Sequence, residues 1–265
     1  MKDNKYRRPD RKERRPEPMV EENENQLEGR NALQEALRSG RTIDKVFIAA
    51  GETDRGLQRL AAEAKEAGAV VVPVDRRKLD AMSDTRAHQG VIALAAARAY
   101  FTIDDILQEA ADRGEAPLIV ICDELSDPHN LGAILRSAEC AGAHGVIIPK
   151  RRSVGLTAVV AKSSAGAVEY MKVAKVTNIN TAIAELKQKG VWIFGTAAEG
   201  SIPMYQADLT GPAAIVIGSE GDGMSALVKK NCDVTVHIPM KGRITSLNAS
   251  AAASILLYEA VRQRI

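Results

Sequence analysis

Aromatic residues are scarce in this 265-residue chain, 3% of the total with a single Trp, so its core must be assembled from aliphatic side chains. Cysteine is nearly as rare. Cys122, Cys140 and Cys232 lie far apart without metal-ligand spacing, which excludes a disulfide framework or zinc site and points to a reducing compartment. No apolar run reaches membrane-spanning length, and the N-terminus is charged where a secretion signal needs an apolar stretch. The expected location is cytoplasmic, with no membrane partner. His88, His129, His144 and His237 show no ligand pattern, so no metal is expected. A G-x-G-x-x-G fingerprint is missing, as is the Lys-Ser/Thr pair of a P-loop, which counts against a dinucleotide-binding oxidoreductase or a nucleoside triphosphatase.

What is present is 45% apolar residues, enough for two domains of α/β type. Net charge is only +2, but it is unevenly spread. Residues 1–16 hold eight Lys or Arg against three acids, and residues 17–25 hold four Glu and no base. Residues 1–25 therefore read as a disordered charged tail able to seek phosphate, or simply as a solvated terminus. Residues 26–97 alternate helical and strand patterns: a helix over 31–37, a strand at 45–49, helical spacing from 56 to 67, a strand at 70–74, a short helix over 78–82 and a strand at 90–95. A small α/β domain follows from that alternation. Residues 98–116, with a helix over 103–112, read as a linker.

Residues 117–265 begin with Leu118-Ile-Val-Ile-Cys122, an apolar run with the character of a strand buried on both faces. Similar runs at 145–148, 191–194, 213–217 and 234–238, separated by helical segments at 130–141, 178–189, 223–230 and 247–263, predict a parallel sheet with helices on both sides. Ligands of such sheets sit beyond the carboxyl ends of the strands.

Three motifs stand at those ends. Asp127-Pro-His-Asn-Leu-Gly-Ala-Ile-Leu-Arg136 opens a helix, with Asn130 and Arg136 nearly two turns apart; the plain alternative is a cap and a surface ion pair. Gly218-Ser-Glu-Gly-Asp-Gly223 is a glycine turn that permits close approach to backbone, and Glu220 between glycines is unusual for a simple turn. His237-Ile-Pro-Met-Lys-Gly-Arg-Ile-Thr-Ser-Leu-Asn248 ends a strand at Pro239, runs through a basic loop and opens an Ala-rich helix.

In that order and spacing the three segments resemble the motifs of the SpoU/TrmH family of RNA 2′-O-ribose methyltransferases, over roughly residues 117–264. The resemblance implies a SPOUT fold with a deep trefoil knot, preceded by a small ribosomal-protein-like domain. It implies transfer of a methyl group from S-adenosyl-L-methionine, leaving S-adenosyl-L-homocysteine, to a ribose 2′-hydroxyl. Positions carried over as catalytic are Asn130, Arg136, Glu220, Ser246 and Asn248. Those for the methyl donor are Gly195, Thr196, Gly218, Glu220, Gly221, Ile238, Met240, Ser246 and Leu247. RNA contacts fall on Arg30, Asn31, Arg86, Lys241 and Arg243. The implied partners are ribosomal RNA, with a guanosine of 23S rRNA as target, and a second copy of the chain in a homodimer. A tRNA 2′-O-methyltransferase of the same family and a non-catalytic RNA-binding or ribosome-assembly module are the alternatives.

Overall fold

The computed structural model describes residues 25–51, 53–83, 85–197, 201–219, 221 and 223–265. Residues 1–24 of the charged tail and Glu220 lie outside them.

The first domain is a four-stranded sheet in the order β1-β4-β2-β3, built from β1 (Gln26–Glu28), β2 (Ile43–Ala49), β3 (Val70–Val74) and β4 (Val91–Ala95). Helices α1 (Arg30–Arg38), α2 (Arg55–Glu66) and α3 (Arg76–Met82) pack on it. Strands β2 and β3 are parallel, which requires the α2 crossover, whereas β4 runs antiparallel to both β1 and β2. Asp54 and Asp75 start α2 and α3 by accepting hydrogen bonds from the Leu57 and Arg77 amides. Leu33, Val46, Leu57 and Ala64 form the main core, and Pro73 is tolerated because β3 lies at the sheet edge.

A helix α4 (Ile103–Arg113) follows, opened by a Thr102–Asp105 capping box and closed by Gly114 in the left-handed region, φ 67°. The linker reading does not convey how tightly α4 is held. Ile103 and Ile106 are buried in one of the two cores of the second domain, and a side chain at Gly145 would run into Ile106.

That second domain is a seven-stranded sheet in the order β7-β6-β5-β10-β8-β11-β9, and every pairing within it is parallel. Its strands are β5 (Leu118–Cys122), β6 (Gly145–Pro149), β7 (Val173–Val176), β8 (Trp192–Thr196), β9 (Ile202–Pro203), β10 (Ala213–Ile217) and β11 (Val234–His237). All carboxyl ends therefore open on one edge. Within β5 the side chains alternate between two cores. Val120 and Cys122 face α5 (Pro128–Cys140), α6 (Ala158–Ser163) and α9 (Ala249–Arg264), whereas Ile119 and Ile121 face α4, α7 (Ile179–Gln188) and α8 (Ala226–Asn231). The sequence pattern missed β1, α6, β7 and β9, all six residues or shorter.

Helix α9 runs from the carboxyl edge of the sheet to the opposite edge, where the Arg264 guanidinium donates to the carbonyls of Leu209, Ala116, Pro117 and Gly211. Four acceptors around one planar fork hold the end of the helix in register with the start of β5.

The two domains meet through a buried cluster. Asp44 of β2 accepts from the Tyr100 hydroxyl at 2.8 and 3.0 Å and pairs with Lys175 of β7, and the Leu156 amide donates to the Tyr100 oxygen at 2.8 Å. Burial first, and then the Asp44 charge, raises the Tyr100 phenol.

Candidate functional site

The end of β5 and the start of α5 define one wall. Asp127 is the N-cap of α5, accepting from the His129 amide at 2.9 Å, with Pro128 in the first turn. This corrects the expectation that Asn130 begins the helix. Asn130 lies inside the first turn, 4% exposed, where its amide nitrogen donates to Asp127 Oδ2 at 3.2 Å and its Oδ1 accepts from Asn248 Nδ2 at 2.9 Å. Asn248 in turn caps α9, its Oδ1 accepting from the Ser250 and Ala251 amides. A line of three polar side chains thus ties two helix N-termini together, over a sequence separation of 118 for the Asn130–Asn248 bond.

Arg136 does not share that wall. Six residues of helix turn through about 600°, so its side chain leaves α5 well away from Asn130 and stands exposed. Ser246 and Asn248 do come to the site from the loop before α9.

Beyond β8 and β11 a cavity of about 470 Å³ opens, lined in part by Thr196, Ile238, Met240, Ser246 and Leu247. Five of the expected donor positions therefore converge. His237, Ile244, Thr245, Ala252 and Leu256 line it too and were not anticipated, since only the fold brings the inner face of α9 under the 237–247 loop. Ser201 and His237 hydrogen-bond through Oγ and Nδ1 at 2.8 Å, fixing that imidazole at the wall.

Gly195 and Gly218 are not among the residues lining this cavity, and each is instead packed tightly against its neighbours. A Cβ at Gly195 would meet Cys232 Sγ at 2.6 Å and Met224 Cε at 2.8 Å, and one at Gly218 would overlap the Gly223 and Met224 backbone. Gly218 is thus required by the turn that folds back on it through the mutual Ser219–Gly223 backbone hydrogen bonds. Asp123, 4% exposed at the end of β5, holds the same turn by accepting from the Ser225 amide at 2.8 Å. Gly218→Ala is accordingly expected to lower stability by about 2–4 kcal/mol and to weaken ligand binding in the cavity; a melting temperature equal to that of the unaltered protein would show that the turn gives way freely. Gly221 is exposed on the turn.

Burial pushes the Cys122 thiol up to about 12 and Cys232 to about 11, so neither supplies a thiolate. The lining is mostly aliphatic, with the Thr196, Thr245 and Ser246 hydroxyls and the His237 imidazole as its polar side chains, an arrangement suited to holding and aligning reactants.

The expected RNA contacts are dispersed. Lys241 and Arg243 lie exposed on the cavity loop. Arg30 is engaged with Asp54 at 2.8 Å, Asn31 is exposed on α1, and Arg86 is exposed with φ 58°.

Comparison with known proteins agrees with this architecture. Residues 117–258 match the SpoU rRNA methylase family, and residues 26–101 match the RNA 2′-O ribose methyltransferase substrate-binding family. YacO of Bacillus subtilis, named for the TrmH family of tRNA/rRNA methyltransferases, is 47% identical over 89% of this chain and 94% of its own length. A 23S rRNA (guanosine-2′-O-)-methyltransferase, RlmB of Ralstonia nicotianae, is 43% identical over 90% and 95%. Among solved structures, the SpoU methyltransferase AviRb of Streptomyces viridochromogenes in complex with AdoMet superposes with a TM-score of 0.58 at 26% identity, covering 90% of this chain and 89% of that one. Fold and site together define an RNA methyltransferase of the SPOUT class. Within that class the chain belongs to the SpoU/TrmH family.

Proposed function

We propose that this protein transfers the methyl group of S-adenosyl-L-methionine to a ribose 2′-hydroxyl of structured RNA, with a guanosine of 23S ribosomal RNA as target. The observation that carries the reading is the cavity of about 470 Å³ at the ends of β8 and β11, next to the helix start where Asn130 and Asn248 are joined. Its size suits a small-molecule ligand. Thr196, Ile238, Met240, Ser246 and Leu247 would hold the donor, and Asn130, Ser246 and Asn248 would fix the ribose beside it. Bound there, the donor supplies an electrophilic methyl on a positively charged sulfur. The chain supplies alignment, which can account for much of the rate. Arg136, exposed on α5 away from Asn130, would hold a neighbouring phosphate of the RNA, and the 2′-hydroxyl would lose its proton to phosphate or water. Glu220 keeps its proposed role on the strength of the sequence motif alone.

The same proposal includes a threaded C-terminal segment and a homodimer. Support for the second copy comes from apolar side chains left exposed, Ile255 and Tyr258 on α9 and Ile244 and Leu247 on the loop that precedes it. Ribosomal RNA is favoured by the RlmB relative and by the match of the first domain to a substrate-binding family.

Calorimetry with S-adenosylmethionine, followed by mass mapping of ribose methylation in ribosomal and transfer RNA from cells with and without the chain, tests this. Micromolar donor binding and one missing 2′-O-methylguanosine in 23S rRNA are expected. No binding at millimolar donor removes the reading, and a missing tRNA mark redirects it to the second substrate class.

A further inference from the structure

A second cleft, of about 500 Å³, lies between the two domains and is lined in part by Lys65, Gly68 and Pro73 of the first and Lys150, Arg151 and Thr177 of the second. None of the described residues lining it is acidic, and Lys65, Lys150 and Arg151 take part in no ion pair among the described residues. Lys150 reaches across the boundary, its Nζ standing 3.7 Å from where a Cβ on Gly68 would be. Positive charge is concentrated behind it as well. Burial lowers the Lys175 pKa, Asp44 opposes that, and Lys150 and Lys45 lower it further by repulsion.

The position of this cleft matters as much as its charge. Lys150 and Arg151 directly follow β6 and Thr177 directly follows β7, so they stand on the same carboxyl edge of the sheet as the cavity. In the order β6-β5-β10-β8, three strand spacings of roughly 4.8 Å separate the end of β6 from the end of β8. The two openings are therefore roughly 15 Å apart along one rim, a reach of a few nucleotides. The buried Asp44–Lys175–Tyr100 cluster fixes the first domain against β7, so that the walls of the cleft keep their spacing.

We propose that this interdomain cleft is a phosphate track that seats the backbone of the substrate RNA beside the target nucleotide, with Lys65, Lys150 and Arg151 as its cations. The inference rests on the methyltransferase reading above and adds where the rest of the RNA lies. A basic groove of this kind binds backbone without reading bases, so its signature is strong salt dependence.

The test compares two variants of equal charge change. Lys65→Glu/Arg151→Glu alters two exposed positions of the cleft. Lys229→Glu/Lys230→Glu alters two exposed positions at the end of α8, on the opposite edge of the sheet. Filter binding of an in vitro 23S ribosomal RNA transcript is measured over a series of salt concentrations, with donor affinity followed by calorimetry. The cleft variant should bind the transcript at least ten-fold more weakly and show a shallower salt slope, by about two. The α8 variant should stay within about two-fold of the unaltered protein, and both should bind the donor normally. Equal weakening by the two variants, or an unchanged slope in the cleft variant, overturns the track while leaving the methyltransferase reading in place. Failure of the unaltered protein to bind the donor removes the reading itself.

Discussion

Asn130→Ala is expected to reduce methyl transfer by about 10²–10³-fold while costing the fold only about 1–2 kcal/mol. The disparity follows from what Asn130 does. Its side chain is almost fully buried yet spends both polar atoms on the site, donating to Asp127 and accepting from Asn248. Removing it uncouples the N-terminus of α5 from that of α9, and with it the loop that carries Ser246 and Leu247 over the cavity. The fold suffers little because Asp127 still caps α5 and Asn248 still caps α9. Asn130→Asp should fall between the two, since it keeps the acceptor for Asn248 but faces the Asp127 carboxylate without a proton to donate. Single-turnover methylation separates rate from donor affinity, which should change less than ten-fold. A rate in Asn130→Ala within two-fold of the unaltered protein would refute the placement of the ribose beside this residue.

The sequence made some of this site readable and hid the rest for identifiable reasons. Strands such as Leu118–Cys122 announce themselves because both faces are buried and no polar residue interrupts the run. The four-residue β7 and the two-residue β9 carry too little pattern to be separated from loop. Asn130 could be singled out, but not its place in the helix, because Asp127, three residues earlier, is an equally good cap and wins with Pro128 behind it. The wall residues Ala252 and Leu256 look like ordinary helix core until α9 is laid under the 237–247 loop. Gly218 was recognised as a place for close approach, although what approaches is the Gly223–Met224 backbone. Least visible of all was the Asp44–Lys175 pair, whose partners lie 131 residues apart in different domains.

That pair should give the largest effect on stability of any single substitution away from the site. Asp44→Ala is expected to cost about 3–5 kcal/mol at neutral pH, because it leaves the Lys175 side chain, only 10% exposed, without its carboxylate. The pH dependence identifies the cause. Burial holds the Lys175 pKa below its ordinary 10.5, and Asp44 is the main influence opposing that shift. A lysine with a depressed pKa in the folded state burdens the fold wherever it is charged, and the burden fades as pH rises through the folded value toward 10.5. Without Asp44 the folded value drops further, so the variant should gain stability over a wider alkaline span than the unaltered protein, beginning at lower pH. Adding Lys175→Met should recover most of the loss and flatten the profile, since a methionine of similar length fills the space without a charge. Calorimetric unfolding of the three proteins between neutral and alkaline pH supplies the comparison. If the single variant shows neither the loss at neutral pH nor the alkaline recovery, the cluster is not the bond between the domains, and the fixed cleft beside it loses its anchor as well.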